Sequence, residues 1–187
     1  MHSNNRENAI LQIRNFLDSD SEKVVLIKGT HQYAKHSLVL RTIYSEKGFK
    51  NGLYRTNSLQ HVSDHLEQAG FKLNKKSKIT SGKTYNFGNI NLYFDSLNTK
   101  STWRNTPNNL DFALVYPIDS FSKSNTHNIV EFINDILSQK NINKIFIVTW
   151  TDIKQDYSWL EQYVDRTITF DVEEEDPEYH QRMLDLE

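Results

Sequence analysis

The chain has no cysteine, three prolines and six glycines in 187 residues. Without cysteine there is no disulfide, no thiol nucleophile and no zinc site of the cysteine type. Scarce proline and glycine, with 37% hydrophobic and 25% charged residues, describe a globular chain on the polar side rather than a disordered one. Charge of one sign is also lacking: the net value of −2 gives no global field for nucleic acid or membrane. No stretch approaches the roughly 20 apolar residues of a membrane helix. The opening "MHSNNRENAILQIRNF" has no apolar core of the kind a secretory leader needs. The expectation is a soluble, cytoplasmic protein without membrane contact, forming a single domain over residues 1–187.

What is present alternates in type. "ENAILQIRNFLD" (7–18) places Ile10, Ile13 and Leu17 on one helical face. "KVVLIKG" (23–29) is a continuous apolar run, as in a strand buried on both faces. A helix is predicted from Ala34 to about Glu46, then a strand over 52–58, then a helix capped by Ser58 and closed by Gly70. Residues 72–83 hold five lysines, and 84–95 reads as a hairpin around Gly88-Asn89. Further strands are predicted at 112–119, 144–150 and 166–172, with helices at 126–140 and 158–164 between them. The acidic tail has room for one or two more helical turns, and its run "EEEDPE" reads most simply as a solvated exit from the last strand, with a basic partner as the alternative. Strand–helix alternation predicts an α/β fold: a three-layer, mainly parallel sheet flanked by helices, with the hairpin and lysine loop inserted at about 72–110.

One strand–loop–helix carries chemistry. Gly29-Thr30-His31-Gln32-Tyr33-Ala34-Lys35-His36 follows the spacing of the phosphate loop G-x-x-x-x-G-K-[ST], with Ala34 for the second glycine and His36 for the hydroxyl residue. Such a loop wraps phosphates with backbone N–H groups and with the dipole of the helix that follows. Ala34 adds a Cβ near that wrap. Lys35 keeps the charge that meets the phosphates. His36 is a poor Mg²⁺ ligand, and Ser37 lies about 100° further round the helix.

On these residues the chain resembles the P-loop NTPases, and in its element order the ATPases of the AAA or STAND kind. The resemblance implies ATP or GTP, with Mg²⁺, held by Gly29, Thr30, Ala34, Lys35, His36 and Ser37. It makes "FALVYPIDS" the Walker B strand, with Asp119 on the metal side, and "KIFIVTWTD" the sensor strand, with Thr149 or Thr151 as its polar residue. The residue after Asp119 is Ser120, so the water-activating glutamate of that family is missing, and no helical lid domain follows. What is implied is nucleotide binding with weak or no hydrolysis, in a subunit or switch of a larger assembly, paired with a protein partner or with itself. A second mapping is similar to the small GTPases, with Asp95 at the metal-linked aspartate and Asp152 facing the base. It lacks the Asn and Lys of N-K-x-D, has Asn98 in place of the glycine of D-x-x-G, and leaves 52–70 unexplained. A third reading keeps the fold without the nucleotide, as a scaffold that binds protein or nucleic acid.

The remaining candidates carry less. His31 and His36 would need two or three further ligands to bind a metal, and none is supplied by spacing. They read as surface loop residues or as phosphate contacts. Lys72, Lys75, Lys76, Lys78 and Lys83, beside an aromatic hairpin, offer contacts to a nucleic acid backbone, against the simpler reading of a solvated face. Trp103, Trp150 and Trp159 read as core or interface residues. Asp95, Asp111, Asp119 and Glu131 show no nuclease-like spacing.

Overall fold

In the computed structural model, which describes residues 3–73, 78–121, 126–152 and 155–186, the apolar runs become neighbouring strands of one sheet. The strands are β1 (Val24–Lys28), β2 (Asn51–Thr56), β3 (Thr84–Phe87), β4 (Ile90–Ser96), β5 (Asn109–Val115), β6 (Asn141–Val148) and β7 (Arg166–Thr169), in the order β3-β4-β2-β5-β6-β1-β7. Every neighbouring pair is parallel except β3 and β4. Parallel strands need helical crossovers, and those helices cover both faces, which is why Val24–Ile27 of β1 and Ile145–Val148 of β6 are apolar.

Successive side chains of β1 point to opposite faces. Val25 and Ile27 pack with residues of α1 (Arg6–Asp18), α2 (Lys35–Ser45) and α3 (Val62–Gln68), among them Ile13, Phe16, Ile43 and Leu66. Val24 and Leu26 belong to the core on the other face, with Phe132 of α4 (Thr126–Asn134), Ile136 and Leu160. The result is three layers around a mainly parallel sheet, the architecture of P-loop proteins.

Local details depart from the sequence reading in physical ways. The hairpin forms, but β4 pairs in parallel with β2 along Asn51 to Thr56, so its second strand widens the main sheet rather than standing beside it. Ile90, Leu92 and Phe94 are fully buried, and their burial recruits the strand. Strand β5 stops at Val115, because Pro117 has no N–H to continue a ladder. The helix expected over 126–140 is α-helical to Asn134 and ends in a π-turn, Asp135–Gln139, and Ser158–Tyr163 is a 3₁₀ turn. Ser58 precedes a 3₁₀ turn, Leu59–His61, without a capping bond, and α3 starts only at Val62. Gly70 does close α3: at φ +84° it lets its N–H reach the Glu67 carbonyl (2.9 Å) and that of Phe71 reach Leu66 (2.8 Å). A last helix, α5 (Pro177–Leu184), is capped by Asp176, which accepts the Tyr179 N–H at 2.9 Å.

Two buried cations tie the layers. Arg55 of β2 donates Nε and Nη2 to Asp95 of β4 (2.7 and 2.8 Å), and Nη2 lies 2.7 Å from Asp135 of the π-turn. Its guanidinium sits 4.4 Å above the Trp103 ring. Lys144 of β6 donates to the carbonyls of Phe16 (2.8 Å), Ser19 and Glu22 (2.6 Å), satisfying the open end of α1. No helix among the described residues is long and apolar enough to cross a membrane.

Candidate phosphate-loop site

The loop leaves β1 through Gly29, whose φ of +123° favours glycine. A Cβ there would lie 2.3 Å from the Phe170 carbonyl oxygen, so the close approach of β7's exit also demands glycine. Helix α2 opens at Lys35 with Ala34 as an uncapped N-cap. Lys35 is fully buried; its Nζ donates to the Gly29 carbonyl at 2.5 Å and lies 3.9 Å from Asp152 Oδ1.

The first amides of the loop are already engaged by carboxylates of the same chain. Gly29 N–H donates to Asp152 Oδ2 at 2.5 Å. Thr30 N–H donates to Asp171 Oδ1 at 2.9 Å, and the Thr30 hydroxyl lies 3.2 Å from the same oxygen and 2.7 Å from His180 Nδ1. The other Asp152 oxygen is buried without a hydrogen bond among the described residues. Burial pulls the Lys35 pKa down, against the opposing pull of Asp152, then Asp119 and Asp171. A cavity of about 460 Å³ opens here, lined in part by Gly29, Thr30, Asp152, Tyr157, Asp171 and Leu184.

The other residues singled out in the sequence are placed as follows. Asp119 lies in a 3₁₀ turn beyond β5 and accepts from Trp150 N–H (2.7 Å), Thr151 N–H (3.2 Å) and the Tyr157 hydroxyl (2.9 Å). Burial raises its pKa against these bonds. Thr149 is buried, its hydroxyl 3.4 Å from the Ile27 carbonyl. Ser37 turns its hydroxyl to the Ala34 carbonyl at 3.0 Å. His36 is not a surface residue: it is fully buried, stacks on Tyr116 at 4.2 Å, and sits 3.2 Å from the His65 carbonyl. Burial, and then the neighbouring His65, push its pKa down to about 3, so it is neutral. His31 stacks on Phe170 instead, so the two histidines do not face one site. No group of three or more histidines, aspartates or glutamates among the described residues is placed to hold a metal ion.

Strand order removes Asp95 from this region. β2, β5 and β6 separate β4 from β1, so Asp95 pairs with Arg55 and not with the loop, against the small-GTPase mapping. Asp152, expected at a base in that mapping, holds the Gly29 amide. Lys72, Lys78 and Lys83 are exposed; Lys72 lines one hollow and Lys78 another, while Lys75 and Lys76 lie outside the described residues.

The acidic tail, read from sequence most simply as a solvated exit and otherwise as a contact for a basic partner, meets basic residues of its own chain. Glu175 binds Arg6 (2.7 Å) and His31 (2.9 Å), and those bonds, Arg6 first, hold its carboxyl down to about 2. The Tyr179 hydroxyl donates to Gln32 Oε1 at 2.5 Å. The available signal was position: Asp171 leaves β7, and β7 lies beside β1.

No protein-family model matches the chain, and no curated protein matches it. Among solved structures, the large terminase of a thermophilic bacteriophage in complex with ADP superposes with a TM-score of 0.50 at 10% identity, over 87% of this chain and 44% of that one. The same terminase in complex with ATP-gamma-S gives 0.48 at 9% identity, with the same coverage. The chain therefore spans under half the length of these structures. At such identity the likeness shows the fold alone: an α/β domain of P-loop type with a mostly parallel sheet flanked by helices.

Proposed function

We propose that the protein is a non-hydrolysing subunit of P-loop architecture whose phosphate loop is held closed by its own carboxylates. The observation that carries this reading is the pair Asp152–Gly29 and Asp171–Thr30, with Lys35 drawn onto Asp152. Amides and an ammonium that would meet a phosphate meet internal anions instead. An incoming phosphate would face Asp119, Asp152 and Asp171 around one cation, and like charges at such range repel. Phosphoryl transfer needs a metal and a water placed with high precision. Here the hydroxyl position carries a buried neutral histidine, and Ser120 follows Asp119. ATP or GTP with Mg²⁺ enters this picture only after the carboxylates release the loop, and the role left to the closed form is to bind a protein partner or a second copy.

Thermal unfolding with ATP, ADP, GTP and GDP, with and without Mg²⁺, tests the reading. Ligands that bind the folded state raise its melting temperature. The wild type should show no shift at millimolar nucleotide. Asp152→Asn combined with Asp171→Asn should gain a shift of a few degrees, which Lys35→Met then removes. A shift of that size in the wild type, abolished by Lys35→Met, would mean that the loop is open and would overturn the proposal.

A further inference from the structure

A second cavity, about 310 Å³, opens at the carboxyl ends of β2, β5 and β6, lined by five aromatic or imidazole rings together with Asn57, Asp64, Gln68 and Pro117. Tyr33 comes from the loop before α2, His61 and His65 from the turn and helix after β2, Tyr116 from the exit of β5, and Trp150 from the exit of β6. Two of these aromatics are unusually open: Tyr33 is 56% exposed and Trp150 41%. The other walls are braced from behind. Tyr116 stacks on buried His36 at 4.2 Å and meets His65 edge-on at 5.0 Å, while His65 Nδ1 lies 3.2 Å from the buried Tyr54 hydroxyl. A braced wall loses little freedom when a ligand arrives.

Charge then selects the ligand. Among the described residues that line the cavity there is no lysine or arginine, and the one carboxylate is Asp64, 4.0 Å from the ring of His61. Anions are therefore disfavoured. Aromatic faces present negative potential, and several of them around one hollow attract an organic cation. Burial keeps His65 uncharged at neutral pH, its pKa lowered to about 4, so it does not oppose such a ligand. We infer that this cavity binds the head of an organic cation, an alkylammonium or guanidinium group, between Tyr33, Tyr116 and Trp150, with Asp64 at the rim.

Calorimetric titration of the full chain with choline, and with its uncharged tert-butyl analogue of the same shape, tests the assignment. Choline should bind saturably and at least about tenfold more tightly than the analogue. Trp150→Leu and Tyr33→Leu, both at open positions that should not disturb folding, should each weaken choline by about tenfold or more. Asp64→Asn should weaken it by a smaller factor. Capped arginine amide, run beside choline, separates a guanidinium head from a quaternary ammonium: the tighter of the two names the head. Equal binding of the analogue would leave an apolar pocket and overturn the inference. So would choline affinity unchanged in Trp150→Leu, or no saturable heat with either cation. No nucleotide is involved, so failure here is separate from failure of the phosphate-loop reading.

Discussion

A histidine buried without charge couples folding to pH. His36 has its pKa lowered from the usual 6.5 to about 3, first by burial and then by His65, and His65 is lowered to about 4. Both lowered bases bind protons more readily in the unfolded chain. Their contribution to stability is complete above pH 6.5 and is lost as the pH falls toward their folded values. Between those limits each removes about 1.4 kcal/mol of unfolding free energy per pH unit. Urea denaturation between neutral pH and pH near 5 should show this loss, and His36→Phe should show a shallower one. At the same scale, Gly29→Ala places a Cβ against the Phe170 carbonyl at a φ suited to glycine, and should cost at least about 2 kcal/mol in the same assay. The turn at Gly29 and the helix start at Lys35 were legible because a strand, a loop and a helix share one short stretch of sequence. Asp171 was not, because nothing in local spacing tells which carboxylate meets Thr30 from 141 residues away.

At the level of elements, the tail after β7 behaves as a strap. Asp171, Glu175, Tyr179 and His180 all touch the loop or its first residues, and Asp171 N–H reaches back to the Asn4 carbonyl at 2.8 Å. Glu175 is partly exposed, so its ion pairs are screened and individually modest. Their effect is to hold a segment in place. Glu175→Gln combined with Tyr179→Phe should raise hydrogen exchange several-fold in residues 29–34 with little change in the sheet, because local opening follows local contacts. Exchange unchanged in that segment would show that the strap does not govern the loop. The strap was misread because a run of acids signals solvent exposure by composition, whereas its partners Arg6 and His31 lie far off in sequence. The 3₁₀ turn before α3 escaped for a different reason: Ser58 has the right side chain for a cap but no helical N–H in reach.

For the molecule as a whole, the buried ion network around Arg55 decides how the far half of the sheet is joined to its covering helix. It links β2, β4 and the π-turn after α4 inside the core. Removing the cation alone leaves two carboxylates without their partner, so Arg55→Ala should destabilise by about 3–5 kcal/mol, whereas Arg14→Ala at the surface should cost less than about 1 kcal/mol. Equilibrium unfolding of the two variants makes the comparison. The overall architecture was legible because a buried parallel strand has an unmistakable composition, as Val24–Ile27 and Ile145–Val148 demonstrate. The place of β4 was not, since a hairpin motif fixes only the β3–β4 pairing and says nothing of which strand lies on the other side.

Both outer strands of this sheet, β3 and β7, are only four residues long, while the strands between them run from five to eight. Another molecule seeking to extend the sheet by backbone pairing would find an outer strand of only four residues on either side. Short outer strands of this kind blunt edge-to-edge pairing between folded molecules, so any self-association of this protein should use side-chain surfaces rather than its sheet rim.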